Sequence, residues 1–369
     1  MTSFGLVNLP LFFNCALDLT AVINSSNNSI EWPVFNLKKL LCYHHKCLFL
    51  LLKETLRGRR VVRRWKQEFR RNADVTVPYE ELVSGAAKKI ETRVRTDDRK
   101  VSVVHSALDH YEGCDASILL DSTPSQMAEK ESMGNKGVQG FEVIDEAKAQ
   151  IEAQCPNTVS CADIIAFAAR DSVSKADGIY YSVPGGRRDG KISIINDVTP
   201  NLPGEFFNVT QLKLNFASKG LSLDEMVTLS GAHSIGDSHC SSFTKRLYSF
   251  NSTHQQDPSL DGVYAGYLKG RCPSSVGTGT GLDPAVSFDP TTPTKLDNNY
   301  YKNLKMNKGL LTSDQVLWGN PSTRSMVKSN ANHPSNWATK FAKAMVHMGS
   351  IDILTGKQGE IRKNCRLVN

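Results

Sequence analysis

Residues 160–170, SCADIIAFAAR, constrain the fold more than any other stretch of the chain. A serine followed three residues later by an aspartate reads as a capping box, whose hydroxyl and carboxylate satisfy amide donors that the first helical turn leaves unpaired. Ile164, Ile165, Phe167 and Ala168 follow at once, so apolar that the helix belongs in the centre of a core. Such a helix needs others packed around it, and the sequence announces them. Phe141, Ile144, Ala147 and Ile151 form one stripe, and Ser222-Leu223-Asp224-Glu225 repeats the capping signature before Met226, Val227 and Leu229, in a helix that ends near Gly231. Near the C-terminus Trp337, Phe341, Met345 and Met348 fall on one helical face. Strand signals are few: 180–183 and 191–195 flank the turn-rich Pro184-Gly185-Gly186-Arg187-Arg188-Asp189-Gly190 and read as one minor β-hairpin. The expected fold is mostly α, about ten helices in two lobes with a cofactor pocket between them.

The first 73 residues are different. They show no sustained periodicity, and residues 53–71 hold nine Lys or Arg against two Glu, which accounts for the whole formal charge of +7. With the rest of the chain neutral, we read this segment as a solvated, disordered extension rather than a nucleic-acid-binding arm, and expect no nucleic acid partner. Residues 1–17 carry no Lys or Arg and are interrupted by Asn8, Pro10 and Asn14, a poor signal peptide. No stretch is long and apolar enough for a membrane span. The cluster Cys42-Tyr43-His44-His45-Lys46-Cys47 matches no zinc spacing. Cys155, Cys161, Cys240, Cys272 and Cys365 are scattered without a Cys-x-x-Cys pair, which favours disulfides in an oxidising compartment over zinc. The sequons Asn208-Val209-Thr210 and Asn251-Ser252-Thr253 agree with secretion.

The run LSLDEMVTLSGAHSIGDSHCSSFTKRLY at 221–248 resembles the proximal haem segment of the plant secretory, or class III, peroxidases. The likeness continues in order through GCDASILLD (113–121), AEKES (128–132), NKGVQGFEVID (135–145), CPNTVSCADIIAFAARD (155–171), VPGGRRDG (183–190), FDPTTPTKLDNNYYKNL (288–304), LLTSDQVLW (310–318) and GEIRKNCRLVN (359–369). It implies a haem peroxidase domain over 74–369, faithful from about residue 111, after an extension at 1–73. By this resemblance His233 is the axial ligand of a haem b iron, and Asp314 holds its other ring nitrogen, which makes the imidazole more anionic. Read without the family, Asp314 is a helix N-cap.

Calcium wants several oxygen ligands. The resemblance assigns a proximal site to Ser234, Asp289, Thr292, Asp297 and the Lys295 carbonyl, and a distal site to the Gly113 carbonyl, Asp115, Ser117 and the outer Glu129. The distal site is weakened, because Leu108 stands where the family has an aspartate. Pro184 matches the proline at the aromatic-donor entrance, and is otherwise a rigid turn residue. The implied disulfides are Cys240 with Cys272 and Cys161 with Cys365, leaving Cys114 and Cys155 free or mispaired.

One face of the haem departs from the family. Counting back from Cys114, Val103 stands at the arginine that stabilises the leaving oxygen and Ala107 at the histidine that moves the peroxide proton; Asp109 stands at a cysteine, and Asn135 has lost the histidine it would orient. His105 and His110 are out of register and read as surface residues. The implied activity is oxidation of small phenolic donors by hydrogen peroxide, in hydrogen peroxide catabolism and the response to oxidative stress, by a secreted monomer whose peroxide step is impaired. Two alternatives stay open: a catalytically silent haem or calcium scaffold, and a product of altered splicing or translation over residues 1 to about 110.

Overall fold

The structure is a computed structural model, in which Val22–Asn24, Ser29–Glu31, 113–276 and 283–369 are described. The chain divides into two units, Met1–Pro78 and Tyr79–Asn369. In the first, β1 (Val22–Asn24) pairs antiparallel with β2 (Ser29–Glu31); the rest of the expected extension, the Cys42 and Cys47 cluster, His105, His110 and the positions Val103, Ala107, Leu108 and Asp109 lie outside the described residues.

The second unit is mostly helical. Eleven α-helices are described: α1 (Phe141–Gln154), α2 (Cys161–Asp177), α3 (Ile195–Asn201), α4 (Val209–Ser218), α5 (Leu223–Leu229), α6 (Thr244–Tyr248), α7 (Gly262–Arg271), α8 (Asn299–Lys305), α9 (Thr312–Gly319), α10 (Pro321–Asn332) and α11 (Pro334–Met348). One short antiparallel pair accompanies them, β3 (Asp237–His239) with β4 (Ala285–Ser287), Ser238 opposite Val286. No helix among the described residues is long and apolar enough to cross a membrane.

The apolar stripes of the sequence become the core. Ile144, Ala147 and Ile151 of α1 meet Ile164, Ile165 and Phe167 of α2, all buried. A second cluster joins Met226, Val227 and Leu229 of α5 to Tyr301 of α8 and to Trp337, Phe341 and Met345 of α11. Each such large apolar side chain contributes roughly 1.5–3 kcal/mol on leaving water. The third cluster gathers Phe243, Leu247, Leu268, Leu310 and Leu311 around Cys240 and Cys272.

Both expected disulfides are present, Cys240–Cys272 and Cys161–Cys365. The latter spans 204 residues and ties the core helix α2 to the chain end, a constraint on the unfolded chain worth about 2–5 kcal/mol. Cys114 is free and buried, its Sγ donating to the Met348 carbonyl at 3.2 Å, and burial pushes its thiol up to about 11. Cys155 is disulfide-bonded, so of its two alternatives it is not the free thiol.

Two expectations need correction. The hairpin at 180–183 and 191–195 does not form. Arg188 and Asp189 bridge instead to Leu354 and Glu360 of the C-terminal segment, and Ile195 already begins α3. The cause is the Asp189 carboxylate, wholly buried, which accepts from the amides of Ala162 and Arg362 at 2.9 and 2.8 Å and holds this turn against the chain end. The capping box at Ser160 is half made. Ser160 Oγ accepts from the Asp163 amide at 3.1 Å, but the Asp163 carboxylate turns to the amides of Gly186 and Arg187, at 2.7 and 3.2 Å, and to the Arg187 guanidinium. In a buried site a guanidinium and two amides outweigh one amide at the cap.

Candidate active site

The segment that carries His233 is built by α5. Ser222 caps that helix reciprocally, its Oγ accepting from the Glu225 amide at 3.2 Å while Glu225 Oε2 accepts from the Ser222 amide at 2.9 Å. Beyond Leu229 the chain tightens into a 3-10 turn, Ser230–Ser234. Gly231 is required there, because a Cβ would come within 2.5 Å of Tyr301 Oη and 2.9 Å of Trp337 Nε1. The turn thus lies hard against the second core cluster, which fixes where the His233 ring stands.

Three groups hold that ring. It stacks on Phe288, centroids 4.1 Å apart and planes 3° apart. Its Nδ1 lies 2.7 Å from Asp314 Oδ1. Tyr300 stands edge-on at 6.3 Å and donates its hydroxyl to the same Asp314 oxygen at 2.9 Å. Asp314 is only 3% exposed, and its second oxygen accepts from the Leu311 amide at 3.3 Å; the N-cap of α9 is Leu311, and Asp314, at the third helical position, reaches back to it while its first oxygen meets the histidine. With the carboxylate accepting, Nδ1 carries the proton and the imidazole is the tautomer that offers Nε2 to a metal. Burial and then the Asp314 charge hold the Tyr300 phenol well above its ordinary pKa, so it stays a donor. Asp314 is itself placed by Arg246, 2% exposed, which donates to the carbonyls of Gly309, Leu310 and Leu311 just before α9.

Beside His233 the proximal calcium candidates converge. Ser234 Oγ donates to the Lys295 carbonyl at 3.0 Å and accepts from the Asp297 amide at 2.9 Å. Thr292 Oγ1 lies 3.2 Å from Asp289 Oδ2 and 2.9 Å from Asp297 Oδ2. One hydroxyl has one proton, so it cannot satisfy both carboxylate oxygens. Two carboxylates, a threonine, a serine and a backbone carbonyl within such reach suit a hard cation with oxygen ligands. Among the described residues no group of three or more His, Cys, Asp or Glu gathers as a metal cluster; this site has two carboxylates and otherwise neutral oxygens.

The distal candidates also lie together. Asp115 Oδ1 accepts from the Ser117 amide at 2.9 Å, and Ser117 Oγ donates to Glu129 Oε2 at 3.3 Å. Gly113 takes φ +130°, and a Cβ on it would strike the Asp352 backbone. Burial raises the Asp115 carboxyl above its usual range, the mark of a carboxylate held out of water. Asn135 is buried and donates to the Glu129 carbonyl at 2.9 Å. Pro184 is exposed, its carbonyl accepting from Arg187 Nη1 at 2.5 Å.

The sequence model of the family described as Peroxidase matches residues 92–333. The chain belongs to the plant class III peroxidase family. It is 54% identical over 258 residues to Peroxidase 5 of Vitis vinifera, covering 70% of this chain and 78% of that protein. To Peroxidase 37 of Arabidopsis thaliana it is 47% identical over 262 residues, 70% and 75% of the two chains. To Peroxidase C2 of Armoracia rusticana it is 42% identical over 292 residues, 77% and 83%. The chain is thus a haem peroxidase, a peroxidase-type oxidoreductase, of a family that implies haem and calcium.

Sequence reasoning did not single out Phe288, Tyr300 or Arg246. Phe288 and Tyr300 sit inside motifs quoted for the resemblance, and their aromatic character beside Asp289 and Asn299 was the available signal. Arg246 also lies in a quoted run, 221–248, but the carbonyls it holds are more than 60 residues away and no local pattern points to them.

Proposed function

We propose that this chain binds haem b through Nε2 of His233 and oxidises small phenolic donors with hydrogen peroxide, with the peroxide step slowed by its own sequence. The observation that supports this best is the buried Asp314 carboxylate 2.7 Å from His233 Nδ1. Bound haem supplies the redox chemistry, two-electron reduction of peroxide and one-electron oxidation of donors. The protein's part is positional. Asp314 keeps the proton on Nδ1 and orients the ring, Phe288 blocks its rotation, and the Gly231 turn keeps it against the core. In this reading Pro184 lines the donor entrance, and Asn135 is what remains of the distal network. Two disulfides and two exposed sequons support a secreted protein. Neither a nucleic acid partner nor an oligomer is part of the proposal.

Reconstitution with haem tests the assignment. The unaltered chain should give a Soret band with the ligand-field spectrum of a histidine-ligated iron, and His233→Ala should lose it. A His233→Ala protein with an unchanged spectrum would remove His233 from the role.

Calcium is proposed at Ser234, Asp289, Thr292, Lys295 and Asp297, and more weakly at Gly113, Asp115, Ser117 and Glu129. A cation held at 100 times its dissociation constant stabilises the folded state by about 2.7 kcal/mol. Chelation should therefore lower the thermal midpoint, and Asp297→Asn should lower it in calcium buffer to near the chelated value. Equal midpoints with and without chelator would dismiss the proximal site.

A further inference from the structure

We infer that Tyr300 is a positioning residue for the axial histidine, moderating how strongly Asp314 draws on the imidazole proton; the inference rests on the reading of His233 as the iron's ligand. Two donors share one acceptor: His233 Nδ1 at 2.7 Å and Tyr300 Oη at 2.9 Å both meet Asp314 Oδ1. The phenol cannot easily leave. Tyr300 is 3% exposed, and its ring lies edge-on to Tyr301 at 5.0 Å, itself anchored by its hydroxyl to the carbonyls of Val227 and Thr228. An oxygen that accepts a second short bond has less negative charge to offer the first. His233 therefore keeps its Nδ1 proton more closely than the carboxylate alone would allow, and its imidazole is less anionic toward a metal. A hydrogen bond to the group that holds a ligand's far nitrogen is a recognised lever on haem potential.

Tyr300→Phe removes the hydroxyl and keeps the ring. In the haem-loaded variant the ferric state should gain over the ferrous by about threefold or more, since a hydrogen bond to a charged group is worth about tenfold or more and part of that reaches the iron. The iron–histidine stretch of the ferrous form should rise, while Asp314→Asn moves both quantities the other way. In the haem-free full chain the Nδ1–H proton resonance of His233 should shift downfield in Tyr300→Phe. Tyr301→Phe, the removal of an equally buried hydroxyl that does not touch Asp314, should move none of these signals. A Tyr300→Phe chain with unmoved potential, stretch and proton resonance overturns the inference, as do shifts matched by Tyr301→Phe. Loss of the Soret band from the unaltered chain would instead defeat His233 as ligand, and the haem-free resonance would still judge Tyr300. Should the variant not fold, the unaltered chain decides: a nuclear Overhauser contact between the Tyr300 hydroxyl proton and His233 Nδ1–H is expected, and its absence refutes the shared acceptor.

Discussion

Loaded with haem, the unaltered chain should react with hydrogen peroxide at least about 10²-fold more slowly than Peroxidase 5 of Vitis vinifera assayed beside it. Splitting peroxide needs a base for the proton of one oxygen and a charged donor for the other. A positioned histidine acting as general acid and base contributes about 10² to 10⁴ in rate, and the resemblance sets Ala107 at its position. A preorganised donor to the departing oxygen contributes about 10² to 10³, and the resemblance sets Val103 at the position of that arginine. Both act on one transition state, so the losses need not multiply. Val103→Arg with Ala107→His should restore little, because by the resemblance Leu108 and Asp109 would still stand at the positions of a calcium ligand and a disulfide cysteine. A chimera carrying the family's ordinary segment in place of residues 1–112 should restore the rate. Stopped-flow mixing with peroxide measures it directly. Fast reaction of the unaltered chain would show that another residue, His110 first among them, performs the distal role. Haem binding with no turnover in either chain would favour a silent scaffold.

Arg246→Leu should cost about 3–5 kcal/mol of folding stability, since it breaks a buried charge pair from one side. Arg246 Nε donates to Asp257 Oδ2 at 2.8 Å and its Nη1 to three successive carbonyls. Without it the Asp257 carboxylate, 2% exposed, keeps its charge and loses its counter-ion. Burial raises the Asp257 carboxyl, but bonds from Ser259 and Arg246 outweigh it and hold the carboxyl below its ordinary value. A depressed carboxyl stabilises the fold above its unfolded value of about 3.8 and loses that contribution as the pH falls through the folded one. The variant should therefore also lose part of its acid dependence between those limits. Arg246→Lys should recover only a fraction, because an ammonium cannot span the fork of acceptors. Denaturant midpoints at neutral and acid pH test both statements, and a Leu variant within about 1 kcal/mol of the parent would contradict them.

What the sequence revealed depended on how local each interaction is. The caps and stripes of α1, α2, α5 and α11 are written within a few turns of chain, so these helices could be read directly. His233 and Asp314 are 81 residues apart, and only the resemblance joined them, as it joined the calcium candidates and the disulfides. The hairpin misreading came from alternation at 191–195 that looked like a strand. Its fate was decided by Asp189 reaching Arg362, a contact across 173 residues that no local pattern encodes. Tyr300 was hidden for the same reason, being an ordinary core aromatic until Asp314 is seen beside its hydroxyl.

The bridge from Cys161 to Cys365 also sets an order of events in biosynthesis. The partner of Cys161 lies 204 residues further along the chain, so Cys161 must wait as a thiol until that much more has been translated. Cys240 and Cys272, 32 residues apart, can close much earlier, since domains begin folding from the N-terminal side during synthesis. Throughout that interval Cys161 shares the nascent chain with Cys114, which has no bridge in the finished protein. Disulfide rearrangement takes minutes to hours without a catalyst, so an early wrong bridge would outlast the ribosome and hold the core helix open. The yield of this protein should thus depend on disulfide isomerase supply more than its modest number of bridges suggests.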